Sequence, residues 1–331
     1  MVDFMENCCT AIVTPMTKNG AEIDLTGFDN LIQFQLKNGV RNIVVNGTTG
    51  ESPTTADDEK LKMVKRAIEL GANVTAGCGT NNTLHSEHLI HDAEKAGVKR
   101  ILLVDCYYNG PSSLELREEY YGYLCAKFPS LKFIAYVIPG RTGCELSVED
   151  LVALHDKYSN LDVVKEATGN LERMKKTRQM SKTLNIMSGD DDLTYKIMSD
   201  SAISGSGVIS VASNIAPKAV QEMCIAISKK QGNAQQLAEK LSPLFSLITV
   251  KMDGQKFRNP VPFKTAMAGL GMIEYACRKP LGKMTVTATQ YVRNTLREIW
   301  KTTPEILTPI ESLYDVSIEK RLANDDYWIH Y

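Results

Sequence analysis

The stretch Val163-Val164-Lys165-Glu166-Ala167 contains the unit from which the fold of this chain can be read. Its β-branched residues predict a short buried strand that ends at Lys165, and the helix-compatible run Asn170–Met180 follows. Burying an unpaired ammonium is costly, so burial favours the neutral amine, which is a nucleophile. Lys165 is therefore either a lysine that forms a Schiff base with a keto substrate or a solvated lysine just past a strand end.

The same order of strand and helix recurs on both sides of this stretch. Apolar runs predict eight strands, at Thr10–Pro15, Asn42–Asn46, Asn73–Gly77, Arg100–Asp105, Leu131–Val137, Val163–Lys165, Leu184–Met187 and Gly207–Val211. Amphipathic runs predict a helix after each, at Leu25–Lys37, Thr55–Leu70, Thr83–Ala96, Ser112–Lys127, Ser147–Lys157, Asn170–Met180, Asp192–Asp200 and Pro217–Lys230. Strands without polar alternation indicate a parallel sheet buried on both faces. The predicted class is α/β, and eight units favour a closed (β/α)8 TIM barrel over an open doubly wound sheet.

The pattern changes after the eighth unit. Helical periodicity continues through Ala234–Lys251, Pro262–Gly269 and Thr287–Trp300. No strand is predicted between these runs. We expect a catalytic barrel over residues 1–231, a C-terminal helical domain over 232–301 and an extension of unknown role over 302–331. The aromatic end of the extension is expected to dock either on the body of the protein or on a partner.

Composition excludes several classes of protein. The net charge is −1, with 43% hydrophobic and 23% charged residues, so neither nucleic acid nor an anionic membrane is an expected partner. No apolar run reaches the roughly 18 residues of a membrane span, and the N-terminal MVDFMENCC lacks the basic residues of a secretory signal. Eight cysteines without a CxxC pair favour a reduced, cytoplasmic protein. His85, His88 and His91 are spaced i, i+3, i+6, so they do not share one face of their predicted helix and no metal site is expected.

Unusual residues follow the predicted strands at the end where barrel enzymes carry their catalytic groups. They are Gly47-Thr48-Thr49-Gly50-Glu51-Ser52 after strand two, Tyr107-Tyr108-Asn109-Gly110-Pro111 after four, Tyr136 and Pro139-Gly140-Arg141-Thr142-Gly143 after five, Lys165 after six, Ser188-Gly189-Asp190-Asp191-Asp192 after seven, and Ile209 in eight. The glycine- and threonine-rich run is either a cradle of N–H groups for a carboxylate or an ordinary turn. The acidic run Asp190–Asp192 is expected to open a helix, not to bind a metal.

Together these side chains suit imine chemistry on a keto acid. A lysine forms the imine, a phenol moves protons, and an arginine binds a second carboxylate bidentately. Each residue also has a plainer interpretation when taken alone. Tyr136 is equally compatible with a core tyrosine, and Arg141 with a surface residue in a structural pair.

Seven motifs make a more specific comparison possible. They are GTTGES (47–52), YYN (107–109), Y-x-x-PGRTG (136–143), VVKEATGN (163–170), SGDD (188–191), GVISVASNIAP (207–217) and NPVPFK (259–264). In order and spacing they resemble the dihydrodipicolinate synthase family, within the pyruvate-aldolase superfamily of sialic acid lyase, from about Thr10 to about Thr285. The resemblance implies condensation of pyruvate with aspartate semialdehyde to 4-hydroxy-tetrahydrodipicolinate, on the way to lysine and diaminopimelate, without a cofactor.

The resemblance also implies catalytic roles for four residues. Lys165 matches the lysine that forms an imine with pyruvate. Tyr136 matches the phenol that exchanges protons there. Thr48 matches the hydroxyl that links this phenol to a second tyrosine, and Tyr108 matches that second tyrosine, which enters from a neighbouring subunit. The implied assembly is a homotetramer built as a dimer of dimers, or a homodimer.

Four further positions match substrate-binding residues. Thr49 matches a residue that binds the pyruvate carboxylate, and Arg141 matches the arginine that holds the carboxylate of aspartate semialdehyde. Gly189 and Ile209 match positions that line the pyruvate pocket.

The chain departs from the family pattern in three places. Val137 stands where an asparagine is common, which would alter a nearby hydrogen bond. Asp57, Lys60 and His85 replace residues of the lysine feedback site found in inhibited members, so weak or no inhibition by lysine is expected. The chain also runs some 40 residues past the usual end of the family, which puts the oligomeric arrangement in doubt.

Two other functions remain open from the sequence. One is another Schiff-base aldolase, such as an N-acetylneuraminate lyase or a keto-deoxy sugar acid aldolase. Arg141 and the paired threonines count against it, because a sugar substrate calls for neutral polyol contacts. The other is a catalytically silent homologue that serves as a binding or regulatory protein.

Overall fold

Eight parallel strands close into a barrel in the computed structural model, which describes residues 6–331. The strands are β1 Asn7–Ala11, β2 Asn42–Val45, β3 Asn73–Gly77, β4 Arg100–Val104, β5 Lys132–Val137, β6 Leu161–Glu166, β7 Asn185–Ser188 and β8 Gly207–Ser210. Each strand pairs with the next in the chain, and β1 pairs with both β2 and β8. The predicted (β/α)8 barrel is therefore confirmed.

A helix or helical segment follows each strand and covers the outside of the barrel. These are α1 Leu25–Lys37, α2 Asp57–Glu69, α3 Thr83–Lys95, α4 (Ser113–Glu115, the π-helical turn Leu116–Gly122, and Tyr123–Lys127), α5 Val148–Lys157, α6 Leu171–Met180, α7 Thr194–Ser199 and α8 Pro217–Ser228. Several begin at side chains that accept a backbone N–H. Asp24 caps α1, Asn82 caps α3 and Asn170 caps α6.

The first strand begins and ends earlier than predicted. The prediction was Thr10–Pro15, whereas β1 spans Asn7–Ala11. The apolar residues after it are buried without being in the ladder, because the side-chain Oδ1 of Asn214 accepts the Val13 N–H at 3.0 Å. Pro15 has no N–H to donate to a sheet in any case. Burial alone had suggested strand for a segment that is in fact a loop.

Inside the barrel, one small apolar cluster fills the space between the strands. Its members are Cys9, Ala11, Val44, Leu102, Ile134, Tyr136, Val163, Met187 and Ile209. Lys165 lies in register with Tyr136 on β5 and Met187 on β7, so it belongs to the inward-facing set. This layer brings the tyrosine and the lysine to the upper end of the barrel.

The region after the barrel contains a hairpin that was not predicted. Helix α9 covers Ala234–Phe245, and the strands Thr249–Met252 and Gln255–Arg258 then pair antiparallel. The prediction of one helix over Ala234–Lys251 with no strand after it was therefore wrong. Asp253-Gly254 forms the turn with positive φ at both residues, which is the geometry that an Asp-Gly hairpin requires.

The remaining helices are α10 Val261–Leu270, α11 Val286–Thr302, α12 Thr308–Tyr314 and α13 Ile318–Ala323. The last two belong to the extension, which docks on the chain itself. Trp328 is 3% exposed and donates from Nε1 to the carbonyl of Arg321 at 3.0 Å. A Cβ at Gly269 would lie 2.5 Å from the Trp328 ring, so the glycine leaves the space that the indole fills.

The division into a barrel (1–231), a helical domain (232–301) and an extension (302–331) stays a prediction. Residues 1–5 of the first part, together with the start of the segment predicted not to be a secretory signal, lie outside the described residues. Among residues 6–331, no helix has both the length and the apolar character to cross a membrane.

Candidate active site

A cavity of about 280 Å³ opens at the C-terminal ends of strands β2 to β5. Four of its lining residues carry the polar groups that matter for chemistry, namely Thr48, Tyr107, Tyr136 and Arg141. They come from the segments after β2 and β4, from β5 itself, and from the segment after β5. The structure thus brings three of the eight predicted site residues to one cavity, together with Tyr107.

Lys165 and Tyr136 stand side by side at the top of the barrel. The Lys165 ammonium lies 4.1 Å from the centre of the Tyr136 ring, and the two side chains are 6% and 5% exposed. An ammonium over an aromatic face is attracted by the ring quadrupole. The phenol is thus held next to the amine, where it can exchange protons with an adduct on that amine.

The thiol of Cys9, in the same inner cluster as Tyr136, does not compete as a nucleophile. Cys9 lies in the inner apolar cluster, and burial raises the pKa of its thiol to about 12, although the charge of Lys165 lowers it. A neutral thiol is a poor nucleophile.

The run GTTGES forms a tight turn directly after β2. The turn is closed by backbone hydrogen bonds from Gly50 N and Ser52 N to Gly47 O, at 3.1 and 3.3 Å. Thr14 Oγ1 donates to the Gly50 carbonyl at 2.7 Å and fixes the far side of the turn. Thr48 is half-buried at the cavity, and Thr49 is 2% exposed.

The two adjacent tyrosines after β4 face different surroundings. Tyr107 lines the cavity, whereas Tyr108 is 88% exposed. The backbone at Tyr108 has φ +81°, a left-handed conformation that non-glycine residues rarely adopt. The two side chains therefore point in different directions, because the backbone turns at Tyr108. The role of Tyr108 in a neighbouring subunit stays a prediction.

Arg141 lies in the single helical turn Pro139–Thr142, which ends at Gly143 with φ +72°. Its Nη2 donates to the carbonyl oxygen of Asn259 at 2.9 Å. Part of the guanidinium is thus anchored, and the remaining N–H groups are available at the cavity rim.

Gly189 and Ile209 have structural explanations as well as predicted roles. The Gly189 N–H donates to the Glu166 carbonyl at 2.6 Å, and a Cβ there would lie 2.6 Å from the Cβ of Ala167. The ends of β6 and β7 can approach so closely only with glycine. Ile209 is fully buried in the inner cluster.

The acidic run after β7 opens a helical segment, as predicted. Asp191 begins a short 3-10 turn that leads into α7, and its carboxylate accepts from Ser210 Oγ and, at 2.9 Å, from Val211 N. Burial raises the pKa of Asp190 and of Asp191 to about 6 in each case. Among the described residues, no cluster of potential metal ligands occurs.

Sequence reasoning missed two contacts that join the C-terminal region to the site. Asn259 Nδ2 donates to Thr49 Oγ1 at 2.9 Å. Glu51 Oε1 accepts from Lys264 Nζ at 2.6 Å, and both side chains are fully buried. The motifs GTTGES and NPVPFK contain all four residues, but nothing in a single sequence shows that the two motifs meet.

The sequence model of the Dihydrodipicolinate synthetase family matches residues 4–299. The chain belongs to this family. A curated relative from Thermotoga neapolitana, 4-hydroxy-tetrahydrodipicolinate synthase, is 35% identical over 297 residues, covering 87% of this chain and 97% of the relative.

Solved structures of the family agree with the fold. The 4-hydroxy-tetrahydrodipicolinate synthase of Methylacidiphilum fumariolicum is 32% identical, with a TM-score of 0.83, and the match covers 94% of this chain and 100% of that one. A lysine-bound enzyme from Cyanidioschyzon merolae is 30% identical, with a TM-score of 0.82, covering 89% and 98%. The family assignment made from the motifs is confirmed.

Proposed function

We propose that this chain condenses pyruvate with L-aspartate 4-semialdehyde to give 4-hydroxy-tetrahydrodipicolinate and water. The observation that carries the proposal is the contact of Lys165 with Tyr136, because Tyr136 lines a cavity that Thr48 and Arg141 also line. The names of the family's curated relatives support the same reaction.

The proposed reaction begins with imine formation. The neutral amine of Lys165 attacks the keto carbon of pyruvate, Tyr136 returns a proton to the departing hydroxyl, and one water leaves. Loss of a proton from the pyruvate methyl gives the enamine, which attacks the aldehyde carbon of the second substrate and forms the new carbon–carbon bond. The amine of that substrate then replaces Lys165 on the imine carbon, which closes the ring and frees the lysine.

The two substrate carboxylates have separate anchors in this proposal. Thr49, on the turn after β2, holds the pyruvate carboxylate with backbone N–H groups of the same turn. Arg141, on the turn after β5, holds the carboxylate of the semialdehyde. Gly189 and Ile209 shape the pocket on the opposite side of Lys165.

The proposed site is completed by a second copy of the chain. Tyr108 is too exposed to act in its own cavity, so it is assigned to the neighbouring one, where Thr48 links it to Tyr136. A homodimer is the smallest assembly that satisfies this arrangement, and a homotetramer of two such dimers is the larger one.

The remaining enzyme alternative is a Schiff-base aldolase for a sugar acid. A coupled assay with pyruvate and aspartate semialdehyde, run beside one with N-acetylneuraminate, separates the two. Turnover with the semialdehyde and none with the sugar acid is expected. Turnover with the sugar acid alone would contradict the assignment of Arg141.

Weak or no inhibition by lysine belongs to the same proposal. Asp57 Oδ2 lies 2.8 Å from His85 Nε2, and Asp57 Oδ1 lies 3.2 Å from Lys60 Nζ. The Asp57 carboxylate is thus occupied by His85 and Lys60 and is not available to an incoming ammonium. Turnover is expected to be unchanged at millimolar lysine, and strong suppression would contradict this part.

A cytoplasmic location is proposed as well. It is supported by the eight cysteines, all of which are free thiols, with only Cys106 more than slightly exposed.

A further inference from the structure

Asn259 lies between the two residues that are proposed to hold the substrate carboxylates. Its side-chain Nδ2 donates to Thr49 Oγ1, and its main-chain oxygen accepts from Arg141 Nη2, both at 2.9 Å. The contacts span 210 and 118 residues of sequence. Asn259 is 6% exposed, so water competes little for either bond. One residue of the C-terminal region thus touches both anchors.

The direction of the hydrogen bond to Thr49 matters for the chemistry. A threonine hydroxyl has one proton to donate. Because Thr49 Oγ1 accepts from Asn259, that proton is not used on the asparagine and can be donated to a carboxylate. In the opposite amide orientation, Thr49 would donate to Asn259 Oδ1 and would have no proton left for the substrate.

The burial of the amide favours the first orientation. With Nδ2 on Thr49, the other polar atom of the amide, Asn259 Oδ1, is buried without a hydrogen-bond partner among residues 6–331. A buried carbonyl oxygen without a partner is tolerated better than a buried N–H without one. The reverse orientation would leave the Asn259 amide NH2 group buried without a partner.

We propose that Asn259 is a positioning residue that aims the Thr49 hydroxyl at the carboxylate of pyruvate. The inference rests on the proposed function of Lys165 and Thr49. It assigns the two halves of Asn259 to different substrates. The side chain acts on pyruvate through Thr49, while the main-chain oxygen acts on the semialdehyde through Arg141.

This division gives a sharp test, because a substitution changes the side chain and keeps the main-chain oxygen. In Asn259→Ser, the pyruvate concentration that gives half-maximal borohydride-trapped adduct is expected to rise about tenfold, the worth of one hydrogen bond to a charged group. The KM for aspartate semialdehyde at saturating pyruvate is expected to stay within about twofold. An equal rise in both constants, or no rise for pyruvate, would overturn the proposal.

Asn259→Asp tests the direction of the bond with little change in size. An aspartate only accepts, so it would take the Thr49 proton and place a negative charge beside the carboxylate site. The pyruvate constant is expected to rise more than in the serine variant. If the serine variant does not fold, this variant alone decides, and unchanged affinity for pyruvate would reject the inference.

Asn160 supplies a matched control. It is 8% exposed, and its Nδ2 donates to the carbonyls of Cys125 and Phe128 on the outside of the barrel. Asn160→Ser and Asn160→Asp are expected to leave pyruvate affinity unchanged. A comparable rise in these variants would mean that lost stability, and not the aim of Thr49, explains the effect.

A double-mutant cycle with Thr49→Val completes the test. If Asn259 acts through the Thr49 hydroxyl, then Asn259→Ser should cost almost nothing once that hydroxyl is gone. Additive effects would overturn the proposal. The native protein serves to separate the two proposals. If pyruvate gives no adduct on Lys165 of the native protein, the proposed function fails. If the native protein forms the adduct but the effects of Asn259→Ser and Thr49→Val are additive, only the role of Asn259 is rejected.

Discussion

At the scale of the single residue, the position of Lys165 matters more than its chemical type. It lies near the end of the buried strand β6, it is in register with Tyr136 on the neighbouring strand β5, and its ammonium lies over that ring. A parallel barrel directs such residues to one rim, so the nucleophile, the proton carrier and the carboxylate anchors meet without being close in sequence.

Tyr108 provides the first prediction at this scale. Tyr108→Phe removes one hydroxyl from an exposed side chain, so the melting temperature should not change. Turnover should fall at least about tenfold, since a proton relay contributes roughly two orders of magnitude or more. Tyr123→Phe is a matched control, because it removes the hydroxyl of another exposed tyrosine, one that donates to Glu87. An unaffected kcat in Tyr108→Phe would count against the relay.

Asp105 provides a prediction about pH. It is fully buried, and burial raises the pKa of its carboxyl to about 7, although Tyr121 Oη and Leu146 N donate to it. The neutral form is therefore favoured in the folded state. The stability that this carboxyl contributes is complete below its unfolded pKa of about 4 and is lost as pH rises through about 7.

The test compares native protein with Asp105→Asn, which cannot ionise. Between pH 4 and pH 8, the free energy of unfolding of the native protein should fall relative to the variant by up to about 4 kcal/mol, from three pKa units. Chemical denaturation at both pH values measures this difference. Parallel pH profiles for the two proteins would refute the assignment.

At the scale of the element, helix α10 joins the C-terminal region to the barrel. Lys264 on this helix pairs with Glu51 on the turn after β2, and Glu51 also accepts the Arg278 N–H at 2.8 Å. Arg278 in turn reaches Glu59 at the start of α2. These contacts anchor the turn 47–52, which carries Thr48 and Thr49, to the C-terminal region.

Removing one partner of this ion pair should be costly. Lys264→Met leaves the Glu51 carboxylate buried without its countercharge, and the expected loss of stability is about 3–5 kcal/mol. Denaturant unfolding of the native protein and the variant measures this loss.

Lys60→Met is the matched control for that substitution. The Lys60 side chain is also buried, but its partner Asp57 is 39% exposed and stays hydrated. The cost should be about 1 kcal/mol or less. Equal losses in the two variants would show that the buried pair has no special effect.

At the scale of the whole molecule, the extension is part of the folded body. Arg321 Nε donates to the Gly269 carbonyl at 2.8 Å, and Arg321 Nη2 to that of Ala268 at 2.6 Å. With Trp328 seated on Gly269, the tail supports the C-terminal end of α10, the helix whose first half carries Lys264. The extension therefore has a structural link to the site, although it lies far from the cavity in sequence.

Trp328→Ala tests that link. Truncating a buried tryptophan costs about 3–5 kcal/mol of stability. The short helices of the extension are therefore expected to detach from the body of the protein. Faster hydrogen exchange is expected across α13 and in the last turn of α10. Ile329→Ala, at a residue 39% exposed in the same segment, should leave exchange unchanged. Unchanged exchange in α10 of the tryptophan variant would show that the tail does not support it.

The local parts of this structure were predictable, and the long-range ones were not. Strand β3 and helix α1 were predicted to the residue, because period and caps are local signals. The contact between Asn259 and Thr49 joins residues 210 apart, and no local pattern encodes it. The hairpin around Asp253-Gly254 was a missed local signal, since its turn residues are typical but its strands are mostly exposed and polar.

Imine formation between Lys165 and pyruvate is the step on which the proposed reaction depends. Borohydride reduction in the presence of pyruvate, followed by intact mass spectrometry and mapping of the modified peptide, measures it. A single adduct on Lys165 is predicted, and Lys264→Met should keep it while Lys165→Arg should lose it. No adduct in the native protein, or an adduct on another lysine, would contradict the account.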